Sequence, residues 1–108
     1  MNNNQKQQGD VLLLKIGTIP QMAKELKRGE YVVLAEGETT GHFHGIKEEG
    51  VVLLESPDGK RYVHNSTKKT VLLIHQEHKP IKVNPGIWEI GIVREYDYFQ
   101  EMERKVVD

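Results

Sequence analysis

Short apolar runs, interrupted by turn residues every six to twelve positions after Gly29, set the strongest constraint on the fold. Runs this short are typical of β-strands, and their regular spacing is typical of a sandwich or a barrel. Strands are predicted at residues 11–16, 31–35, 40–47, 51–55, 61–65, 70–75, 81–83 and 87–95. We therefore predict a mostly-β fold, arranged as a small barrel or jelly-roll-like domain.

Two turn sequences predict hairpins between neighbouring strands. Ser56-Pro57-Asp58-Gly59 carries Pro at the turn position that requires φ near −65°, so residues 51–55 should pair with residues 61–65. Asn84-Pro85-Gly86 predicts a second hairpin, between residues 81–83 and the last strand.

One segment favours a helix over a strand. Pro20 suits the first position of a helix, Met22 and Leu26 share a helical face, and Gly29 suits a C-terminal cap. We predict one short helix between residues 18 and 28, with a long loop as the alternative.

The chain is predicted to form a single domain after a short tail. Residues 1–8 are polar and repetitive, so they offer nothing to bury and should form a flexible tail. Residues 9–108 should form one β-rich domain, because 108 residues do not supply a second core.

Three strands are apolar on both faces, at residues 11–14, 51–54 and 71–74. A strand with water on one side should alternate apolar and polar residues instead. Two packed sheets would cover only the inner faces of these strands. We therefore predict a homodimer in which a second copy covers some of the outer faces.

Composition narrows the classes of partner and site. The net charge of −1 gives no electrostatic field that would attract nucleic acid or an anionic membrane. No apolar run is long enough to form a membrane-spanning helix. Cysteine is absent, so any metal would be held by histidine nitrogen and carboxylate oxygen. The N-terminus shows no signal-peptide pattern, and a cytoplasmic location is expected.

Four of the five histidines fall in two short clusters, Gly41-His42-Phe43-His44 and His75-Gln76-Glu77-His78. Alternate residues of a strand point to the same face, so His42 and His44 should project side by side. In the second cluster, His75 shares a face with Glu77 if the strand continues, and with His78 if the chain turns.

This pattern predicts a divalent metal site formed by His42, His44 and one or both of His75 and His78. Imidazole ligands suit Zn, Fe, Mn or Ni, and geometry selects among them. Glu77 could be a ligand, a partner that fixes a histidine tautomer, or a base acting on bound water, with His78 as a second catalytic group. The alternative is an exposed strand pair and a solvated loop.

The expected function is hydrolysis of a small phosphorylated or nucleotide-like molecule, with Thr40 and Arg94 as ligand-binding residues. Two alternatives remain open at this point. A pair of histidines without metal could cleave a phosphodiester by acid–base catalysis. A binding module could instead sequester a small ligand or nucleotide signal through the same histidines.

Two other aromatic residues are predicted to be structural. His64 alternates with Tyr62 on a strand face, and Trp88, which follows a turn, is expected to lie in the core.

A longer pattern covers nearly the whole chain after the tail. It comprises Gln8-Gly9-Asp10-Val11, Glu36-Gly37-Glu38, Thr40-Gly41-His42, His44, His75, Glu77-His78, Pro80-Ile81, Pro85-Gly86, Trp88 and Arg94-Glu95-Tyr96-Asp97. In this pattern the chain resembles a family of small bacterial and phage proteins of unknown activity. The resemblance implies that the two histidine clusters and Glu77 belong to one site, and it implies no reaction.

The first histidine cluster is also loosely similar to the cupin family. Cupins place His-x-His after a glycine and before a glutamate, as do Gly37, His42, His44 and Glu48 or Glu49. Cupins carry a further histidine after a Pro-x-Gly turn, whereas both clusters here precede Pro85-Gly86. This resemblance implies a small β-barrel with a histidine site in or at its mouth, and it does not extend to the usual cupin ligand set or chemistry.

Overall fold

The computed structural model describes residues 4–36 and 41–92. These residues form ten β-strands, which confirms the mostly-β prediction. The strands are β1 (Gln5–Gln8), β2 (Val11–Ile16), β3 (Lys24–Arg28), β4 (Val32–Glu36), β5 (Phe43–Ile46), β6 (Val51–Glu55), β7 (Arg61–Asn65), β8 (Val71–Ile74), β9 (Ile81–Val83) and β10 (Gly86–Ile92).

The strands form two antiparallel sheets. The larger sheet has the order β1-β2-β10-β7-β6-β3, and the smaller sheet has the order β4-β5-β8-β9. Within the described part of the chain the two sheets do not close into a barrel. The same residues contain no apolar helix of membrane-spanning length.

The main core lies between the two sheets. The larger sheet contributes Leu13 from β2 and Trp88 from β10, and the smaller sheet contributes Ile46 from β5 and Leu73 from β8, all fully buried. Burying a large apolar side chain stabilises the fold by about 1.5–3 kcal/mol, so this layer holds the sheets together. The predicted core position of Trp88 is confirmed, and its indole Nε1–H donates to the carbonyl oxygen of Asn84 at 3.0 Å.

The predicted helix between residues 18 and 28 is wrong. Lys24–Arg28 instead forms β3, which pairs with β6 at the edge of the larger sheet. All five residues of β3 are exposed, so the strand is held mainly by its backbone ladder to β6. Its charged side chains suit an edge strand, where they oppose pairing with another chain.

The prediction of a flexible tail up to residue 8 is also wrong for Gln5–Gln8. These residues form β1, which pairs antiparallel with β2 through a two-residue turn at Gly9 and Asp10. Gly9 has a φ of 57°, a conformation that glycine adopts without steric cost and that tight hairpins require.

The outer face of β6 is covered from within the chain. Val52, Leu54 and Tyr62 form a second, smaller cluster against Ile19 and Ala23 of the segment between β2 and β3. The apolar residues of β6 therefore need no second copy to bury them. On β8, by contrast, Leu72 remains 49% exposed.

The two predicted hairpins have different outcomes. β6 and β7 pair as expected, with Val51 opposite Asn65 and Glu55 opposite Arg61. β9 and β10 do not pair with each other, because β9 belongs to the smaller sheet and β10 to the larger one. The turn at residues 84–85 thus carries the chain across the core from one sheet to the other.

Candidate functional site

Pairing between β5 and β8 brings the two histidine clusters together. Gly45 lies opposite Ile74, and Ile46 lies opposite Leu73. Continued beyond these residues, the same register sets His44 opposite His75 and His42 opposite Glu77. Directly opposite residues on one face of an antiparallel pair have Cβ atoms about 4.5–5.5 Å apart, so these side chains are neighbours.

The side chains of the continued register make the expected contacts. Nδ1 of His42 lies 3.7 Å from Oε1 of Glu77. Between these pairs, the backbone N–H of Phe43 donates to Oε1 of Gln76 at 2.8 Å. The chain leaving β8 therefore stays alongside β5 through the histidine clusters.

All four clustered histidines lie in one group, which we call the histidine group: His42, His44, His75 and His78. The ring centroid of His75 lies 5.6 Å from that of His42, 4.3 Å from that of His44 and 4.7 Å from that of His78. The rings of His44 and His78 are stacked, 6.2 Å apart. The structure thus sets both His75 and His78 beside His44, where the sequence left open which of them would be.

His44 is the buried member of the group, with a side-chain exposure of 1%. Its Nδ1 lies 2.9 Å from Oε1 of Gln8. The Gln8 amide nitrogen donates to the carbonyl oxygens of Leu73, at 2.8 Å, and of Lys79, at 3.0 Å. Gln8 therefore joins β8 to the far end of the β8–β9 loop, and its amide oxygen also contacts the His44 ring.

The other ring nitrogen of His44 faces a carboxylate. Nε2 lies 3.4 Å from Oδ1 of Asp10, whose side chain is 20% exposed. Asp10 occupies the second position of the β1–β2 turn, two residues after Gln8. One tight turn therefore contacts both nitrogens of the same imidazole.

Gly9, the first position of that turn, lies directly against His78. A Cβ atom on Gly9 would lie 2.5 Å from Nε2 of His78 and 2.8 Å from Cδ2. The absence of a side chain at Gly9 is what allows the His78 ring to lie over the turn. The turn and the histidine group consequently pack as one unit.

His75 has the opposite hydrogen-bonding arrangement to His44. Its Nδ1 accepts from the backbone N–H of Glu77, at 3.1 Å, and faces the backbone N–H of His78, at 3.4 Å. An acceptor role for Nδ1 puts the proton of the neutral ring on Nε2.

Burial and crowding lower the pKa of two members of the group. The pKa of His44 lies below its ordinary value of 6.5, chiefly because burial disfavours the charged ring and then because His75 lies nearby. The pKa of His75 is lowered as well, by burial first and then by His78 and His42. Both rings are therefore expected to be neutral at pH 7.

Within residues 4–36 and 41–92, no three His, Asp or Glu side chains are arranged so that they could hold a metal ion as they stand. Nε2 of His44 and the Asp10 carboxylate are close together, but a third donor has to move to join them. His42 is partly exposed and His78 is exposed, so both have room to change rotamer.

The described residues also line a cleft of about 590 Å³ beside β4 and β10. Its lining includes Glu36, Asp58, Lys60 and Arg61 but none of the histidines. The cleft is therefore separate from the histidine group.

A model of a family described as a domain of unknown function, DUF8820, matches residues 7–93. The chain belongs to the DUF8820 family. No curated protein and no solved structure matches it. The DUF8820 match includes the β1–β2 turn and both histidine clusters, so the whole histidine group with Gln8 and Asp10 lies inside the family's domain.

The predicted ligand-binding residues Thr40 and Arg94 lie outside the described residues. His64 lies on β7 opposite Val52 of β6 and Ile87 of β10, consistent with a position in the sheet away from the clusters. Sequence reasoning assigned no role to Gln8 and Asp10. Their only signal was their place at the start of the pattern that the chain shares with small bacterial and phage proteins.

Proposed function

We propose that the histidine group holds a divalent transition-metal ion and hydrolyses a small phosphorylated or nucleotide-like molecule. The observation that carries this proposal is the position of His44 Nε2, 3.4 Å from Oδ1 of the Asp10 carboxylate. A neutral imidazole nitrogen and a carboxylate oxygen are both ligands of Zn²⁺ and of related metals. The low pKa of His44 supports this role, because a ligand must be unprotonated.

His42 and His78 are the residues that would complete the ligand set. His42 is partly exposed and His78 is exposed. Their ring centroids lie 5.6 Å and 4.7 Å, respectively, from that of His75. Glu77 is beside Nδ1 of His42, where it can hold a proton on that nitrogen and leave Nε2 free as a ligand. This arrangement favours an orienting role for Glu77 over direct ligation.

A bound divalent metal supplies a water of lowered pKa and polarises a phosphoryl oxygen. His75, with its proton on Nε2, would donate a hydrogen bond to an anionic oxygen of the substrate. Thr40 and Arg94 remain the proposed phosphate partners.

The second candidate is a metal-free phosphodiesterase, and the close approach of two imidazoles favours it. The ring centroids of His44 and His75 lie only 4.3 Å apart. A neutral ring can accept a proton and a second ring, once protonated, can donate one, as acid–base cleavage near neutral pH requires. The absence of a ready three-donor set among the described residues also favours this candidate.

Metal content and chelation separate the candidates. Protein purified without a His tag should contain about one Zn, Fe, Mn or Ni per chain, and the metal should be lost in His42→Ala and His78→Ala but retained in His64→Ala. Hydrolysis of nucleotide phosphodiesters that persists after chelation would favour the metal-free pair. A small ligand recovered unchanged from denatured protein would favour the sequestering module.

The homodimer remains a separate proposal. Its support is now limited to exposed apolar side chains such as Leu72, Met22 and Leu26, because the outer face of β6 is covered within the chain. Light scattering coupled to size exclusion tests it, and a species of 12.4 kDa alone would overturn it.

A further inference from the structure

We infer that the β1–β2 turn completes the histidine group, with Gln8 fixing the tautomer of His44 and Asp10 acting as the carboxylate ligand beside it. The Asp10 role rests on the proposed metal-binding function, whereas the Gln8 role does not. Gln8 is a positioning residue, because it acts on the site through His44.

The first step is the orientation of the Gln8 amide. Its nitrogen lies 2.8 Å from the carbonyl oxygen of Leu73 and 3.0 Å from that of Lys79. Carbonyl oxygens only accept hydrogen bonds, so the NH2 end of the amide must face them, and a flipped amide would set three oxygens together. Oε1 is thereby directed at His44.

The second step is the consequence for His44. Oε1 of an amide only accepts, so Nδ1 of His44 must be the donor across the 2.9 Å contact. A neutral ring with its proton on Nδ1 carries its lone pair on Nε2. Gln8 thus presents His44 to the site with Nε2 as an acceptor or a ligand.

The third step is what that lone pair faces. Oδ1 of Asp10, 3.4 Å from Nε2, is also an electron-pair donor when the carboxylate is ionised. Two such atoms are stabilised by a cation shared between them. A divalent metal ion bound by the imidazole nitrogen and the carboxylate oxygen would supply that cation.

The turn also joins the two sheets at the site. β1 and β2 belong to the larger sheet, whereas His44 lies on β5 of the smaller sheet and His75 directly follows β8 of the same sheet. The ligand pair of His44 and Asp10 therefore spans the two sheets, and its geometry depends on the contact of Gln8 with the β8–β9 loop.

The Gln8 role is tested by nitrogen-15 NMR of the histidine side chains in metal-free wild-type protein at neutral pH. His44 is expected to show a pyrrole-type Nδ1 and a pyridine-type Nε2. In Gln8→Met this preference should be lost, whereas Gln7→Met, which changes an exposed neighbour, should retain it. A wild-type His44 with its proton on Nε2 would overturn this role.

The Asp10 role is tested by titrating metal-free protein with Co²⁺ and following the ligand-field absorption. Asp10→Asn should bind at least about tenfold more weakly than wild type, since it replaces a charged ligand by a neutral one of the same shape. Glu49→Gln, which removes the same charge from an exposed turn, should bind as wild type does. Thermal unfolding of each variant verifies that it is folded.

The outcomes separate this inference from the proposed function. If wild type does not bind Co²⁺, metal binding fails and the Asp10 role fails with it, while the NMR result still decides the Gln8 role. If wild type binds and Asp10→Asn binds equally well, the Asp10 role is overturned and the histidine metal site stands.

Discussion

Oε1 of Gln8 lies 2.9 Å from Nδ1 of His44, in a buried contact between residues 36 positions apart in the chain. The same amide bonds two carbonyl oxygens, that of Leu73 on β8 and that of Lys79 in the loop that carries His75 and His78. A residue in an apparently featureless polar segment therefore organises the histidine group.

Replacing Gln8 should destabilise the protein more than replacing its neighbour. Gln8→Met leaves two carbonyl oxygens and the His44 N–H without their partner, and a buried polar group left unsatisfied costs about 1–3 kcal/mol. Gln7→Met changes an exposed side chain and should cost less than about 0.5 kcal/mol. Urea unfolding, followed by the fluorescence of Trp88, measures the free energy of unfolding of both variants. An equal decrease in the two variants would contradict the hydrogen bonds described for Gln8.

Stability of the metal-free protein should fall as the pH drops below the ordinary histidine pKa of 6.5. The folded pKa of His44 lies below that value, so the unfolded chain takes up the proton first and protonation favours unfolding. The contribution of His44 is fully present above pH 6.5 and is lost as the pH falls towards the folded pKa. Thermal unfolding midpoints between about pH 7.5 and 5.5 should fall further in wild type than in His44→Gln. Parallel curves for the two proteins would contradict the burial of a neutral His44.

Gly9→Ala should disturb the site as well as the turn. An alanine there carries the strain of a φ of 57° and also a Cβ atom 2.5 Å from Nε2 of His78. Gly59→Ala is the matched control, because its φ of 89° is strained but its Cβ would meet no atom within 4 Å. Both substitutions should lower the free energy of unfolding by about 1 kcal/mol or more. Only Gly9→Ala should shift the ring resonances of His78, and unchanged His78 signals would mean that the ring does not lie over the turn.

Gly45→Ala should displace an aromatic ring on the opposite side of β5 from His44. A Cβ on Gly45 would lie 2.7–2.8 Å from the ring of Tyr31, which packs edge-on against Phe43. Overpacking of this kind costs about 1–3 kcal/mol. Gly17→Ala, whose Cβ meets nothing within 4 Å, should be neutral or slightly stabilising.

A double variant isolates the cause. Combining Gly45→Ala with Tyr31→Leu should recover part of the loss, because the shorter side chain leaves room for the methyl group. Simple additivity of the two substitutions would indicate that the ring is not what Gly45 accommodates.

Four strands of the fold were predictable because their signal is local. β2, β6, β7 and β9 match the predicted residues, since each is a short segment ended by turn residues. Two edge strands of the larger sheet were not predictable in this way. β1 has no apolar residue and β3 combines good helix formers such as Lys24, Glu25 and Leu26, and both are strands because a neighbouring backbone offers them a ladder.

The candidate site, like the fold, was predictable from the sequence only in part. Alternation along a strand predicted that His42 and His44 share a face, because that period is a local property, and it left His75 beside either Glu77 or His78. The contribution of Gln8 and Asp10 depends on where the β1–β2 turn docks, which no local pattern encodes. Gln8 reaches an oxygen of Leu73, 65 residues further along the chain.

That separation has a consequence for the order of folding. Gln8 leaves the ribosome long before Leu73 and Lys79 exist, and its hydrogen-bond partners become available only after β8 and the loop that follows it have been made. Closing a loop of this length is entropically costly and is rewarded only once the smaller sheet has formed. The histidine group should therefore assemble late, after β8 has paired with β5 and the following loop has docked on the β1–β2 turn.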